Sequence, residues 1–134
     1  MPLAAELYED AWKNDKSIRA MAESIFREWR EEIEEAETAW ELTRLIESEL
    51  DPDKVLGVIL GIMALDNKDE KTGLLGAGPL EDFLNHSGPE YIDVIEQLAA
   101  KNARFKTVLK GVWQTAEIDL AVWKRVERIC RDVA

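Results

Sequence analysis

The amino-acid sequence predicts an all-α protein of about seven helices. Three observations support this fold class. Apolar residues recur every three or four positions through most of the chain, and no segment alternates as a half-buried strand does. Only 7 glycines and 4 prolines occur in 134 residues, and most of them are clustered. The length fits one domain over 1–134 with its own hydrophobic core.

Four helices are predicted in the first half of the chain. The second has the clearest amphipathic pattern, and Asn14 or Asp15 can cap its start. The fourth opens on Asp51-Pro52, which places a capping carboxylate before a proline at the first helical position. The expected spans are 2–13, 16–34, 36–50 and 52–65.

The helix at 52–65 is apolar on nearly every side, so we expect it to be central in the fold. Gly57 and Gly61 lie one turn apart within it. Each glycine costs about 1 kcal/mol of helix propensity against alanine. We therefore interpret the pair as a place where another helix approaches closely.

The stretch 72–84 is the only one that combines glycine, proline, apolar and acidic residues so densely. Its glycines predict a tight loop. Gly78 is then a plausible N-cap, Pro79 fits the first turn, and Glu81 can complete the cap. The structural residues of this loop and cap are Gly76, Gly78, Pro79 and Glu81.

A short helix over 79–87 follows, and Gly88 is expected to end it before Pro89 opens the next. The remaining predicted helices are 89–101, 103–113 and 117–132, with Asn102 as the cap of the middle one. The short turns between helices favour stacked antiparallel hairpins, as in a short α-solenoid-like bundle.

The same stretch carries a family resemblance. Residues 76–84, Gly-Ala-Gly-Pro-Leu-Glu-Asp-Phe-Leu, are followed by His86-Ser-Gly88, Arg104-Phe105 and Leu109-Lys-Gly-Val-Trp113. This order resembles an uncharacterised family of small bacterial domains with a Gly-Pro-Leu-Glu-Asp-x-Leu signature. The resemblance covers about 40–126 and departs at Ala103, where the family tends to have proline. It implies a helical core over 36–134 behind N-terminal helices at 1–35, and it implies no particular reaction.

The net charge is −11 and is unevenly distributed. Residues 1–50 carry 14 acids and 6 bases (−8), residues 51–100 carry 10 and 3 (−7), and residues 101–134 carry 4 and 8 (+4). A chain this acidic is repelled by nucleic acid and by anionic membranes. We expect neither as a partner, and a basic protein is the better electrostatic match.

The chain is expected to be cytoplasmic. Cys130 is the only cysteine, so no disulfide can form within the chain, which fits a reducing compartment. The N-terminus lacks the basic start and apolar run of a secretory leader, and the apolar stretch at 55–65 is too short to span a bilayer.

Catalytic and metal-binding patterns are weak. His86 has Asp82 four residues earlier on the same helical face, but no activated nucleophile accompanies them. The acids at 66–70 do not match a calcium loop, and the glycines match no phosphate-binding motif. We therefore expect no catalytic residue, no cofactor and no metal.

The preferred function is a non-catalytic protein-binding module, most concretely an acidic immunity or inhibitor protein that covers a basic partner. The docking residues would be Glu28, Glu31, Glu32, Glu34 and Glu35. Trp40 and Trp113 are expected in the core.

Two alternatives stay open. The first is an enzyme or small-ligand receptor that uses Glu81, Asp82 and His86 on the 73–86 loop. The second is a self-associating structural domain, which includes a homodimer.

Overall fold

A computed structural model describes residues 2–131 and confirms the all-α fold. No strand occurs within these residues. The last residue of the predicted final helix, at 132, lies outside the described part. The elements are α1 (Ala5–Asn14), α2 (Lys16–Arg30), α3 (Glu37–Ser48), α4 (Pro52–Leu65), α5 (Thr72–Leu75), a π-helical turn (Gly76–Leu80), α6 (Glu81–Lys101), α7 (Ala103–Leu109) and α8 (Leu120–Arg131).

Helix α4 is the centre of the fold, as its sequence predicts. Every residue over 55–63 is buried. The helix contacts α1, α2, α3, α5, α6 and α7, so its apolar surface is covered on several sides. Helices α3 and α4 are in contact, and so are α6 and α7, as expected for neighbours joined by short turns. Among the described residues, no helix is long and apolar enough to cross a membrane.

The two glycines of α4 mark close helix contacts, which confirms the interpretation of their spacing. A Cβ on Gly57 would lie 3.2 Å from Ile18 Cδ1 and 3.3 Å from Ala11 Cβ. A Cβ on Gly61 would lie 3.0 Å from the Cβ atoms of both Ala22 and Trp12. The approaching elements are therefore α1 and α2.

Three predicted caps are present. The Asp15 carboxylate accepts the N–H groups of Ser17 and Ile18 at the start of α2. Asp51 accepts the N–H of Lys54, and Asn102 accepts those of the first residues of α7. Each side chain satisfies N–H groups that have no partner within their helix.

The predicted glycine-rich loop is wrong. Helical backbone continues from α5 through the π-helical turn into α6, and no glycine among the described residues has a positive φ. In a regular α-helix the ring of Pro79 would collide with the carbonyl four residues earlier. The wider π turn accommodates the proline without ending the helix.

The predicted break at Gly88-Pro89 is also wrong, since both residues lie inside α6. The absence of a side chain at Gly88 lets α8 approach α6 closely, because a Cβ on Gly88 would lie 3.1 Å from Val122 Cγ1 on α8. Three helices end earlier than the sequence predicts. Helix α2 ends at Arg30, α3 ends at Ser48, and α7 ends at Leu109.

A buried polar group ties α1 to the rest of the fold. The hydroxyls of Tyr8 and Tyr91 both donate to Oδ1 of Asp53, at 2.5 and 2.6 Å. The Tyr8 hydroxyl also accepts the N–H of Leu3. Burial, followed by the hydrogen bond to Asp53, raises the pKa of Tyr8 to about 12 and raises that of Tyr91 further. The network joins α1, α4 and α6.

Candidate functional site

The two motif segments identified in the sequence pack directly against each other. A Cβ on Gly76 would lie 2.2 Å from the carbonyl oxygen of Val108 and 3.0 Å from Gly111 Cα. Five residues further along, Oε1 of Glu81 accepts the N–H of Trp113 at 2.8 Å. The motif residues thus join the start of α6 to the segment that follows α7. We call this contact the motif junction.

The roles predicted for Gly76, Gly78, Pro79 and Glu81 as a loop and helix cap are therefore wrong. Gly76 is required for close backbone contact rather than for a turn, and nothing lies within 4 Å of a Cβ on Gly78. Glu81 lies inside continuous helical backbone, so its carboxylate has no free N–H groups of its own helix to cap. The Glu81 carboxylate accepts a hydrogen bond from the N–H of Trp113 instead. This bond fixes the position of the chain after the end of α7.

The structure places Asp82 and His86 close enough to interact, as their spacing predicts. Partial burial raises the pKa of Asp82 above its ordinary value. Repulsion from Glu81, Glu47 and Glu117 acts in the same direction, while attraction to His86 opposes it. Carboxylates from α3, from α6 and from the α7–α8 connection therefore converge around Asp82.

The side chains around Asp82 include neither an activated nucleophile nor a metal site within residues 2–131. The nearby hydroxyl of Thr115 donates to Asn85 Oδ1 at 2.9 Å, so it is held by an amide rather than by a base. Over residues 2–131, no group of three or more His, Cys, Asp or Glu side chains is arranged to hold a metal ion. What remains is a partly buried carboxyl, Asp82, whose pKa is raised and which the side chain of His86 attracts.

The acidic run at 28–37 is divided in the structure. Glu28 is only 5% exposed, so its prediction as a docking residue is wrong. Its carboxylate accepts the N–H groups of Thr38 and Ala39, both at 3.0 Å, and so caps the start of α3. Glu28 positions the connection between α2 and α3 instead of facing a partner.

The other four predicted docking residues are exposed. Glu31 pairs with Arg27 at 3.1 Å across one turn. Glu32, Glu34 and Glu35 lie in the connection between α2 and α3, and within the described part of the chain their carboxylates make no ion pair. This part of the acidic run is therefore available to a partner.

Trp40 and Trp113 are not in the core, contrary to the prediction. Trp40 is 61% exposed and Trp113 is 72% exposed. Trp40 lies in the first turn of α3, where Glu37 is three positions earlier on the same face and Glu41 follows it directly. Ile33, 38% exposed, lies in the adjoining connection.

These neighbours define a surface that the sequence reveals only in part. The pattern of charge in the sequence identifies the acidic residues, whereas hydrophobicity assigns Trp40 to the core. We call the set the acidic surface. It consists of Glu31, Glu32, Ile33, Glu34, Glu35, Glu37, Trp40 and Glu41.

The structure shows a small helical domain with an exposed acidic segment at 31–37 and an exposed tryptophan, Trp40, three residues after it. The chain belongs to a family of unknown function, DUF6869, whose model matches residues 28–133. The match begins within α2, so the boundary expected at 35/36 falls inside it. No curated protein and no solved structure matches the chain.

Proposed function

We propose that this chain is a non-catalytic protein-binding module that receives a basic partner on its acidic surface. The observation that carries the proposal is Trp40, which is 61% exposed and lies beside Glu37 and Glu41, two exposed carboxylates that make no ion pair within residues 2–131. Exposed tryptophan at the centre of a charged rim is typical of binding hot spots. Arginine and lysine suit such a site, because each can pair with a carboxylate and lie over the indole ring.

The concrete form of the proposal is an inhibitor of the immunity type. Its net charge of −11 would attract a cationic protein at long range. The acidic surface would then cover the partner's basic cleft, the region with which such a protein grips a negatively charged substrate. The Glu28 cap supports this role, since it holds the connection between α2 and α3 in one conformation before the partner arrives.

A labelled arginine-rich peptide tests the surface by fluorescence anisotropy. We compare wild type with the triple variant Glu32→Gln, Glu34→Gln, Glu35→Gln. The control variant Glu23→Gln, Glu49→Gln, Glu70→Gln loses three exposed carboxylates elsewhere and has the same net charge.

At about 0.5 kcal/mol for each exposed pair, the surface variant should bind about tenfold more weakly. Trp40→Ala should weaken binding by a further two- to fivefold, about the strength of an exposed cation–π contact. The control should stay close to wild type. Equal weakening in both triple variants would mean that the peptide senses net charge alone, and the surface would lose its assignment.

Affinity capture from the native host tests for a protein partner. Wild type and the control variant should retain the same basic protein at low salt, and the surface variant should lose it. Capture of nothing by any variant, at low and high salt alike, would count against a binding module.

One observation favours a second candidate. The raised pKa of Asp82 beside His86 fits a site that binds a small ligand or moves a proton. Asp82→Asn would abolish such an activity without unfolding the protein, whereas the acidic-surface variant would leave it intact.

Three finer statements belong with the proposal. We propose that Gly-Pro-Leu-Glu-Asp-x-Leu is the signature of this family, and the motif junction supports it by giving Glu81 a structural task. The family's bacterial origin rests on the resemblance alone. A cytoplasmic location is supported by the lone Cys130.

A further inference from the structure

A second surface, of opposite charge, lies at the other end of the chain. Helices α6 and α8 border a groove of about 970 Å³. Ala99 and Ala100 line it from α6, Lys106 lines it from α7, and Lys124, Arg128 and Arg131 line it from α8. We call it the cationic groove. It collects basic residues in a chain whose net charge is −11.

Glu96 and Glu127, the carboxylates that line this groove in the described part of the chain, are both paired with arginines. Glu96 accepts from Arg125 at 3.0 Å, and Arg125 also pairs with Asp93 at 2.7 Å. Glu127 pairs with Arg131 at 3.0 Å. Within the described residues, Lys124 and Arg128 make no ion pair, and both are exposed. The groove therefore has cationic groups beyond those that its own acids use.

The spacing of these cations follows one face of α8. Lys124, Arg128 and Arg131 stand at intervals of four and three, so they form a stripe about 10 Å long on one side of the helix. The α6 side of the groove carries Glu96 together with the small side chains of Ala99 and Ala100. The groove therefore has a row of cationic side chains on its α8 edge, and two alanines beside an arginine-paired carboxylate on its α6 edge.

We propose that the cationic groove binds an acidic segment of a partner protein. Charge complementarity selects carboxylate side chains, since lysine and arginine pair with them. The length of the stripe on α8 suits an extended or helical peptide, whose aliphatic carbons would contact the alanines of α6. A nucleic acid is disfavoured, because it carries a charge at every nucleotide along its length and is repelled by the rest of the chain more strongly than a short acidic segment is. This inference is independent of the acidic surface and concerns a different face.

The probe is a labelled poly-glutamate peptide of about ten residues. Fully extended, it is up to about 35 Å long, so it can span the whole cationic stripe on α8. Binding is measured by anisotropy at about 10 mM salt, where the screening length is about 30 Å, and again at 0.15 M. The test variant is Lys124→Gln, Arg128→Gln. The matched control, Lys16→Gln, Lys68→Gln, removes two exposed lysines outside the groove and so has the same net charge. Circular dichroism verifies that both variants fold.

We expect wild type and the control to agree within twofold and the groove variant to bind at least tenfold more weakly. The peptide should also protect α6 and α8 from hydrogen exchange. Three results would overturn the proposal: no binding by wild type at either salt concentration, equal weakening in both variants, or tighter binding of a single-stranded DNA of the same charge. Stoichiometric displacement of the peptide by millimolar inorganic phosphate would also overturn it, because the groove would then be a small-anion site.

Discussion

Gly76→Ala is the glycine substitution for which the structure predicts the closest steric clash. The new methyl carbon would lie 2.2 Å from the carbonyl oxygen of Val108, about 1 Å inside the normal contact distance. Both atoms belong to backbone or are fixed to it, so neither a rotamer change nor a flexible side chain can relieve the contact. The end of α7 would have to move away from α6, and the hydrogen bond from Trp113 to Glu81 would be lost with it.

The cost follows from these contacts. Overpacking of this kind costs up to about 3 kcal/mol, and the lost charged hydrogen bond adds about 1.5 kcal/mol. The better helix propensity of alanine returns about 1 kcal/mol. We expect a net loss of about 3 kcal/mol, which for a domain of this size corresponds to a fall in Tm of roughly 10 °C.

Gly78→Ala is the matched control. Gly78 lies two residues away in the same π-helical turn and has no positive φ, and a Cβ on it would have nothing within 4 Å. The variant should gain up to about 1 kcal/mol. Urea and thermal unfolding followed by circular dichroism measure both variants. Wild-type stability in Gly76→Ala, or an equal loss in Gly78→Ala, would refute the close backbone contact.

Three further predictions concern titrating and capping groups. Tyr8→Phe should cost about 1 to 2 kcal/mol in urea unfolding, because the hydroxyl joins Asp53 to Leu3 N–H; no loss would mean that the network is not formed. Because the pKa of Tyr8 is raised to about 12, its contribution is complete below pH 10 and is lost as the pH rises towards 12, and tyrosinate absorbance should rise together with unfolding rather than before it. Asp82→Asn should stabilise the protein at neutral pH, since the raised pKa makes ionisation unfavourable in the folded state. The gain should be below about 1 kcal/mol because solvent screens the carboxyl, and it should vanish below about pH 4; a gain independent of pH would contradict the raised pKa that burial and the neighbouring acids produce. Glu28→Ala should lower the unfolding free energy by about 1 to 2 kcal/mol by leaving two N–H groups of α3 without an acceptor, and unchanged stability would contradict the cap.

Much of the fold could be predicted because it follows from local chemistry. Caps such as Asp15 and Asp51 act within a few residues, so their spacing in the sequence is sufficient to identify them. Gly57 and Gly61 indicate a close helix contact because glycine in a buried helix needs a reason. These signals require no knowledge of which segment packs opposite.

The glycine-rich stretch could not be predicted because its explanation is tertiary. Gly76 lacks a side chain because the backbone of Val108 and Gly111, over thirty residues away, packs against it. Glu81 likewise accepts a hydrogen bond from Trp113, which is distant in the sequence. Local rules assign glycine and proline to turns. They cannot distinguish a turn from a helix that widens around Pro79 while another backbone presses against it.

The errors at the surface have a detectable cause. Glu28 lies three residues after the buried Ile25, on the apolar stripe of α2, so its burial is visible in the helical spacing. In α3 the buried stripe passes through Leu42 and Ile46, and Trp40 lies off it. Hydrophobicity alone places the indole in the core, although its position on the helix favours exposure.

An NMR titration of isotopically labelled protein with the arginine-rich peptide tests the central proposal most directly. We expect the indole N–H signal of Trp40 and the amides over 31–41 to shift together and saturate at one equivalent, while Trp113 and residues 81–86 stay unchanged. Shifts confined to Trp113 and residues 81–86, with the acidic surface unmoved, would contradict the proposal and place the binding site at Asp82 and His86.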